Sequence, residues 1–472
     1  MRPVVILSNR LVQLFFVSHL TLHHHHSGFS NDPSGEMAPT PSPVDGFPTL
    51  TSRSQAETEQ VLLKHLPEPG AKDEPILQKT SHMQFLVRNL VQGFPARYIS
   101  QDASQPWLMF WTVQAFSVLQ VALDPANKQR IIDKVMAWQH PGGGFGGGPG
   151  QAAHLLPTYA AVCTLAIVGR PGPRGGWDQI DREQMYKFFL SLKQKDGSFL
   201  VAHHSEVDVR GIYCLLTVAT LLDLLTPELV EGTAAFIASC QTYEGGFASS
   251  SLPSYSLAGP ILPSPAPRPP LGEAHGGYTF CALASWVLLQ SYIVQSREKP
   301  TIDLKNLLRW LVHMQGTEVE LGGFKGRTNK LVDGCYSWWC GGAFGLLEAL
   351  GVGGLQNAES DEVPIDTGFG KVKALQEYIL YAGQHQLEAC ATNLPIGTKL
   401  THRNADASIV AQHHVFPSNV RKHQLLEAWQ PSKCDTPLTN LTMTHTEVMA
   451  AHFYGQQIPA RVRQTGSTNG NA

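Results

Sequence analysis

The sequence predicts an all-α fold in which an inner ring of buried helices stands inside an outer ring of surface helices. Three observations carry that prediction. Four times the chain reads as an amphipathic helix, a Gln, a Gly-rich turn ending in Phe, and then a nearly all-apolar helix. Gly occurs 43 times in 472 residues, above its usual share of about 7%. Charged residues make up only 15% of the chain, where about 25% is typical. No period-2 alternation competes with the helical pattern.

The first unit has a surface helix over Lys128–Gln139, with Ile131, Ile132, Val135, Met136 and Trp138 as its apolar stripe. Gly142-Gly143-Gly144-Phe145 follows, and then Leu156–Val168. The second unit runs Arg182–Gln194, Asp196-Gly197-Ser198-Phe199 and Val209–Leu225. The third runs Pro227–Gln241, Gly245-Gly246-Phe247 and Gly277–Gln290, and the fourth Ile302–Gln315, Gly322-Gly323-Phe324 and Cys335–Leu350. A single apolar stripe marks a surface helix and an apolar girth marks a buried one. Gly after each surface helix supplies the backbone freedom of a C-cap and tight turn. A Pro-rich insertion over 249–273 lengthens the third unit, because Pro cannot continue a helix.

A fifth surface helix is expected over Val372–Gln384, with Leu375, Ile379 and Leu380 on one face. The turn and buried helix that should follow are replaced by the polar, turn-rich segment 388–408. Regularity resumes over Ile409–Trp429 and Thr444–Gly455. Before the repeats, Val4–Leu20 is apolar but interrupted by Asn9, Arg10 and Gln13, too short and broken to span a bilayer. His23–His26 stands where a signal cleavage site would be expected, which favours an unstructured extension. The expected organisation is an extension and linker over 1–53, one domain over 54–458 and a tail over 459–472.

A net charge of −3 disfavours nucleic acid or an anionic membrane as partner. Eight cysteines without regular spacing do not form a disulfide framework and suit a reducing compartment. The unusual polar residues gather just before the buried helices: Glu206, Asp208 and Arg210, then Glu273 and His275, then Arg327, Lys330, Asp333 and Cys335. In a ring of similarly oriented helices these converge on one mouth. Helix N-termini and four cationic side chains there would suit a phosphate-bearing ligand. They could equally cap helices and pair with neighbours. Trp107, Trp111, Tyr159, Tyr213 and Trp338 or Trp339 would line the space below, as packed core or as an aromatic wall for a long apolar ligand. Asp333 and Cys335, two residues apart, offer the oxygen and sulfur that zinc accepts, a weak signal by itself.

At these residues the sequence resembles the β-subunits of protein prenyltransferases, the farnesyltransferases in particular. The matching stretches are Asp102–Trp111, Gly142–Gln151 with His154 and Pro157–Ala161, Glu206–Arg210, Glu273–Cys281 and Gly326–Trp339. They span roughly residues 80–385 in family order. The resemblance implies an α/α toroid in the cytoplasm, an obligate heterodimer with a separate α-subunit, a zinc ion, farnesyl diphosphate and a C-a-a-X protein substrate. Carried over by position, His275, Arg327, Lys330 and Tyr336 bind the diphosphate, with Mg2+ as its companion ion. Trp107, Trp111, Tyr159, Arg210, Tyr213, Cys281 and Trp339 bind the isoprenoid and peptide. Asp333 and Cys335 are zinc ligands, and with Lys330 and Tyr336 form the implied catalytic set. The third family ligand, a His opening the fifth buried helix, has no counterpart in 388–408. His402 is that window's only histidine, and no motif marks it as a ligand. Trp107 at the pocket floor favours farnesyl over the longer chain of a type I geranylgeranyltransferase. An inactive toroid scaffold is the alternative from a different class.

Overall fold

The computed structural model describes residues 46–64, 76–253, 255–256, 259–260, 268–296, 299–352, 372–383 and 439–456. The segment 388–408 with His402, the helix expected over 409–429, the tail 459–472 and most of the extension 1–53 lie outside the described residues. In chain order the helices are α1 Leu50–Leu63, α2 Lys79–Gln92, α3 Gln105–Val118, α4 Pro125–Met136, α5 Leu155–Val168, α6 Arg182–Leu192 and α7 Val209–Leu221. They continue as α8 Pro227–Val230, α9 Thr233–Ser239, α10 Gly276–Leu288, α11 Gln290–Gln295, α12 Leu304–His313, α13 Tyr336–Ala349, α14 Val372–Glu377 and α15 Met443–Tyr454.

Helices α3, α5, α7, α10 and α13 form the inner layer, each packed along the next. Their girth is apolar. In α5, every residue from Leu155 to Val168 except Leu156 and Ile167 is buried. A buried Leu, Val or Phe contributes about 1.5–3 kcal/mol, so continuous burial on all faces fixes these helices as the core. The outer helices α4, α9 and α12 bury one stripe against α5, α10 and α13. In α4 that stripe is Ile131, Ile132 and Val135, as the pattern predicts.

Each unit turns on the same short device. After the outer helix, Gln139 bridges Phe145, Gln241 bridges Phe247 and Gln315 bridges Phe324, while Lys193 bridges Phe199 in the second unit. The turn backbone must run close to the next outer helix. A Cβ on Gly143 would stand 2.1 Å from the carbonyl oxygen of Gln184, so only glycine fits.

Three details differ from the pattern. The third surface helix is broken into α8 and α9 at Gly232, where φ is 77° and an added Cβ would stand 3.1 Å from Gly197 Cα. After α14 the chain widens into a π turn over Tyr378–Ala382. Tyr378 and Ile379, three and four residues beyond Leu375, share its buried face, whereas Leu380, one residue further round, is only partly buried. The insertion 249–273 closes at its base as a two-residue antiparallel ladder, Ser250–Ser251 on Pro270–Leu271. Arg268 staples it to the preceding unit through Asp196, 2.8 Å away.

Helix α15 returns to the ring and packs on α5 and α7. Ahead of it, the carbonyl of Thr439 accepts a hydrogen bond from Tyr159 Oη at 3.1 Å. The six cysteines among the described residues are free thiols. No helix among the described residues is long and apolar enough to cross a membrane.

Candidate active site at the rim of the inner ring

Three inner helices are capped in the same way, and the same contact stands just ahead of α13. A polar side chain accepts the backbone N–H two residues ahead: His154 Nδ1 from Leu156 (3.1 Å), Asp208 from Arg210 (2.8 Å), His275 Nδ1 from Gly277 (3.0 Å) and Asp333 from Cys335 (2.8 Å). Each contact satisfies one of the donors a helix leaves unpaired at its start, worth about 1 kcal/mol. The capping reading of these residues is therefore correct, and it is also what places them at one rim. Asp333 is the fourth member of a structural series.

The charges pair as well. Arg210 binds the buried Asp208 through Nε at 3.0 Å and Nη2 at 2.5 Å. Burial alone would lower the basicity of that guanidinium, but the bonds to Asp208 carry it above its ordinary value. The Arg210 guanidinium also stacks on the Tyr278 ring, 5.1 Å from its centre. Tyr278 meets His275 with ring centres 4.6 Å apart, and His275 Nε2 lies 3.0 Å from Tyr336 Oη. Arg327 pairs with Glu273. The rim is thus a connected row: Arg210, Tyr278, His275, Tyr336, with Arg327 beside it and Lys330 exposed at its edge. Burial, followed by the nearby Arg327 and Arg210, pushes the imidazole of His275 down to about 4.

Below the rim the aromatic residues form one continuous wall. Neighbouring ring centres lie 5.4 Å apart for Trp111 and Trp107, 5.5 Å for Trp107 and Tyr159, and 5.5 Å for Tyr159 and Tyr213. Phe280 continues it, 5.7 Å from Tyr213 and 5.4 Å from Trp339. Trp338 also reaches Phe280, at 5.8 Å. Cys281 is buried next to this wall, its thiol pushed up by burial and by Asp208. Sequence reasoning missed Phe280 and Tyr278, the two rings that join the wall and the rim. Their signal was present, since both sit in the Glu273–Cys281 stretch, but an aromatic in a buried helix reads as ordinary core.

Asp333 and Cys335 place an oxygen and a sulfur donor together at the start of α13. The Cys335 thiol is pushed well up, first by burial and then by the Asp333 carboxylate. A divalent cation between such a pair would relieve both effects, so the donor chemistry fits zinc. Among the described residues no group of three His, Cys, Asp or Glu side chains is placed to hold a metal ion.

A repeating two-layer ring of helices whose inner N-termini share one polar rim defines an α/α toroid. The chain belongs to the prenyltransferase alpha-alpha toroid domain family, whose model matches residues 77–392. It is similar to the protein farnesyltransferase subunit beta of Pyricularia oryzae, 34% identical over 73% of this chain and 66% of that one. It is also similar to that of Pisum sativum, 40% identical over 53% of this chain and 52% of that one. The chain thus spans between half and two thirds of the length of these relatives. Candida albicans protein geranylgeranyltransferase-I complexed with GGPP shares the fold, with a TM-score of 0.58, 18% identity, and coverage of 80% of this chain and 99% of that one.

Proposed function

We propose that this chain is the catalytic β-subunit of a protein farnesyltransferase, a cytoplasmic heterodimer with a prenyltransferase α-subunit. It would transfer farnesyl from farnesyl diphosphate to the cysteine of a C-terminal C-a-a-X sequence. One observation carries the reading: a helix-capped rim bearing Arg210, Arg327 and Lys330 stands over an unbroken aromatic wall. The rim suits a diphosphate and the wall suits a polyisoprenoid. The names of the similar proteins favour farnesyl as the group transferred.

The chain's own residues divide the work. Trp107, Trp111, Tyr159, Tyr213, Phe280 and Trp339 hold the isoprenoid by apolar contact and exclude water around it. Arg327, Lys330 and Tyr336 face the departing diphosphate, and the charge that builds there is what a preorganised set of donors stabilises. Mg2+ with the diphosphate belongs to the same reading. Arg210, held rigid by Asp208, presents its charge toward the peptide side of the rim. Zinc held by Asp333 and Cys335 would supply a lowered thiol pKa for the substrate cysteine.

The test is a fluorescence assay of the purified heterodimer with farnesyl diphosphate and a dansylated C-a-a-X peptide. A rise in dansyl emission that depends on both substrates is expected. Its absence would leave a non-catalytic toroid. A stronger rate with geranylgeranyl diphosphate in competition would overturn the assignment of farnesyl.

A further inference from the structure

Side chains from distant parts of the chain meet beneath the loop that carries Arg327, Lys330 and Asp333. Glu320 is fully buried, yet it is a carboxylate. Its Oε2 accepts from the backbone N–H of Thr317 at 2.9 Å and from the Thr317 hydroxyl at 3.2 Å. Its Oε1 accepts from Gln55 Nε2 at 2.8 Å and lies 3.0 Å from Lys325 Nζ. The same Gln55 nitrogen donates to Glu59 Oε1 at 2.8 Å. One neutral amide therefore joins two carboxylates through its two hydrogens. A hydrogen-bonded network centred on a fully buried carboxylate rigidifies what it touches.

What it touches is the rim. Helix α1, which carries Gln55, packs on the turn Glu318–Glu320. Lys325 opens the loop, its N–H bonded to the Met314 carbonyl at 2.7 Å. The next residue, Gly326, gives its carbonyl to the backbone N–H of Gly276 at 2.8 Å, beside His275. Arg327 and then Lys330 and Asp333 follow directly.

We propose that Gln55 and Glu320 are positioning residues for this loop: the N-terminal helix, acting through the Gln55–Glu320–Lys325 network, sets where the diphosphate-facing cations stand. The proposal rests on the diphosphate reading of the rim. Neither residue touches substrate in it. Glu320 and Lys325 could form an ion pair without help from α1. The involvement of Gln55, 265 positions away in sequence but hydrogen-bonded in space, makes the helix part of the site's support.

The test uses the full chain in complex with its α-subunit, comparing Gln55→Met, Lys325→Met and Lys325→Arg with the unaltered protein. Hydrogen exchange over 325–333 reports loop opening directly. In Gln55→Met, exchange there should rise about tenfold, and the Kd for farnesyl diphosphate should rise about tenfold while kcat at saturation changes by less than about twofold. Lys325→Met should behave alike, and Lys325→Arg, which keeps the ion pair, should stay close to the unaltered protein. A merely structural role would instead lower the melting temperature and the amount of active protein without splitting Kd from kcat. Unchanged loop exchange in Gln55→Met overturns the proposal. If the unaltered protein binds no farnesyl diphosphate, the diphosphate reading falls, and the exchange comparison still decides whether the network holds the loop.

Discussion

The imidazole of His275 and the phenol of Tyr336 are 3.0 Å apart, and only one polarity of that hydrogen bond is open to them. His275 Nδ1 already accepts the N–H of Gly277, so in the neutral ring the proton sits on Nε2. Nε2–H then donates to Tyr336 Oη, and the Tyr336 hydroxyl hydrogen is left to point elsewhere. With His275 pushed down to about 4, the ring stays neutral at physiological pH. A cap at the start of α10 thereby orients a donor at the start of α13.

Tyr336→Phe removes that donor while keeping the ring. On the proposed reaction the loss should fall on kcat, by about tenfold to a hundredfold, in keeping with removal of one preorganised donor. His275→Ala should act through the same hydroxyl, so the double variant should lose far less than the product of the two single losses. Steady-state kinetics of the four proteins measures this. Strict multiplication of the two effects would show that the pair does not work as a unit.

Gly326→Ala tests the close approach of the loop to the rim. A Cβ at Gly326 would stand 1.9 Å from Tyr336 Cζ, so either the ring or the loop must move. Overpacking of this kind costs about 1–3 kcal/mol. The urea midpoint should fall accordingly. At Gly342 the nearest atom to an added Cβ is Phe280 Cε2 at 3.1 Å, and Gly342→Ala should be milder.

Asp178 should link α15 to pH. Its carboxyl is held below its ordinary value of 3.8, chiefly by the Gly172 N–H at 2.7 Å, against some burial, and then by His452 and Gln456. A carboxyl whose folded pKa is depressed contributes stability above its unfolded pKa and loses it as pH falls through the folded value. Asp178→Asn should therefore be less stable than the unaltered protein at pH 7, with the gap closing at a pH well below 3.8. Urea unfolding at both pH values gives the answer, and a gap that persists in acid would assign the effect to packing.

Trp107 should set the length of the chain that fits. Its ring stands between Trp111 and Tyr159 in the wall, so Trp107→Thr opens space along that line. On the proposed function, the ratio of kcat/KM for geranylgeranyl over farnesyl diphosphate should rise by at least about tenfold. One methylene in an apolar pocket already discriminates about tenfold or more. A ratio that does not move would put the length limit elsewhere.

Much of this was legible because the signal is local. Helices such as α5 and α7 announce themselves by unbroken apolar residues, and the turns by their glycines. The rim residues were legible as a set because they recur at one place in each repeat. What could not be read has a common cause: it depends on residues distant in sequence. Glu320 looks like an ordinary surface carboxylate until Gln55 and Lys325 are beside it. Phe280 looks like core until Tyr213 and Trp339 flank it. The break at Gly232 answers to the backbone of Gly197, in another unit.

The hydrogen bond from Tyr159 to the carbonyl of Thr439 also says something about the order in which the molecule is made. The two residues lie 280 positions apart, and contacts of such separation form late because they must close a long loop first. Repeats one to four can stack on their neighbours as they leave the ribosome. The wall around Tyr159 is finished only after residue 439 has been synthesised, so a nascent chain carries it incomplete until then.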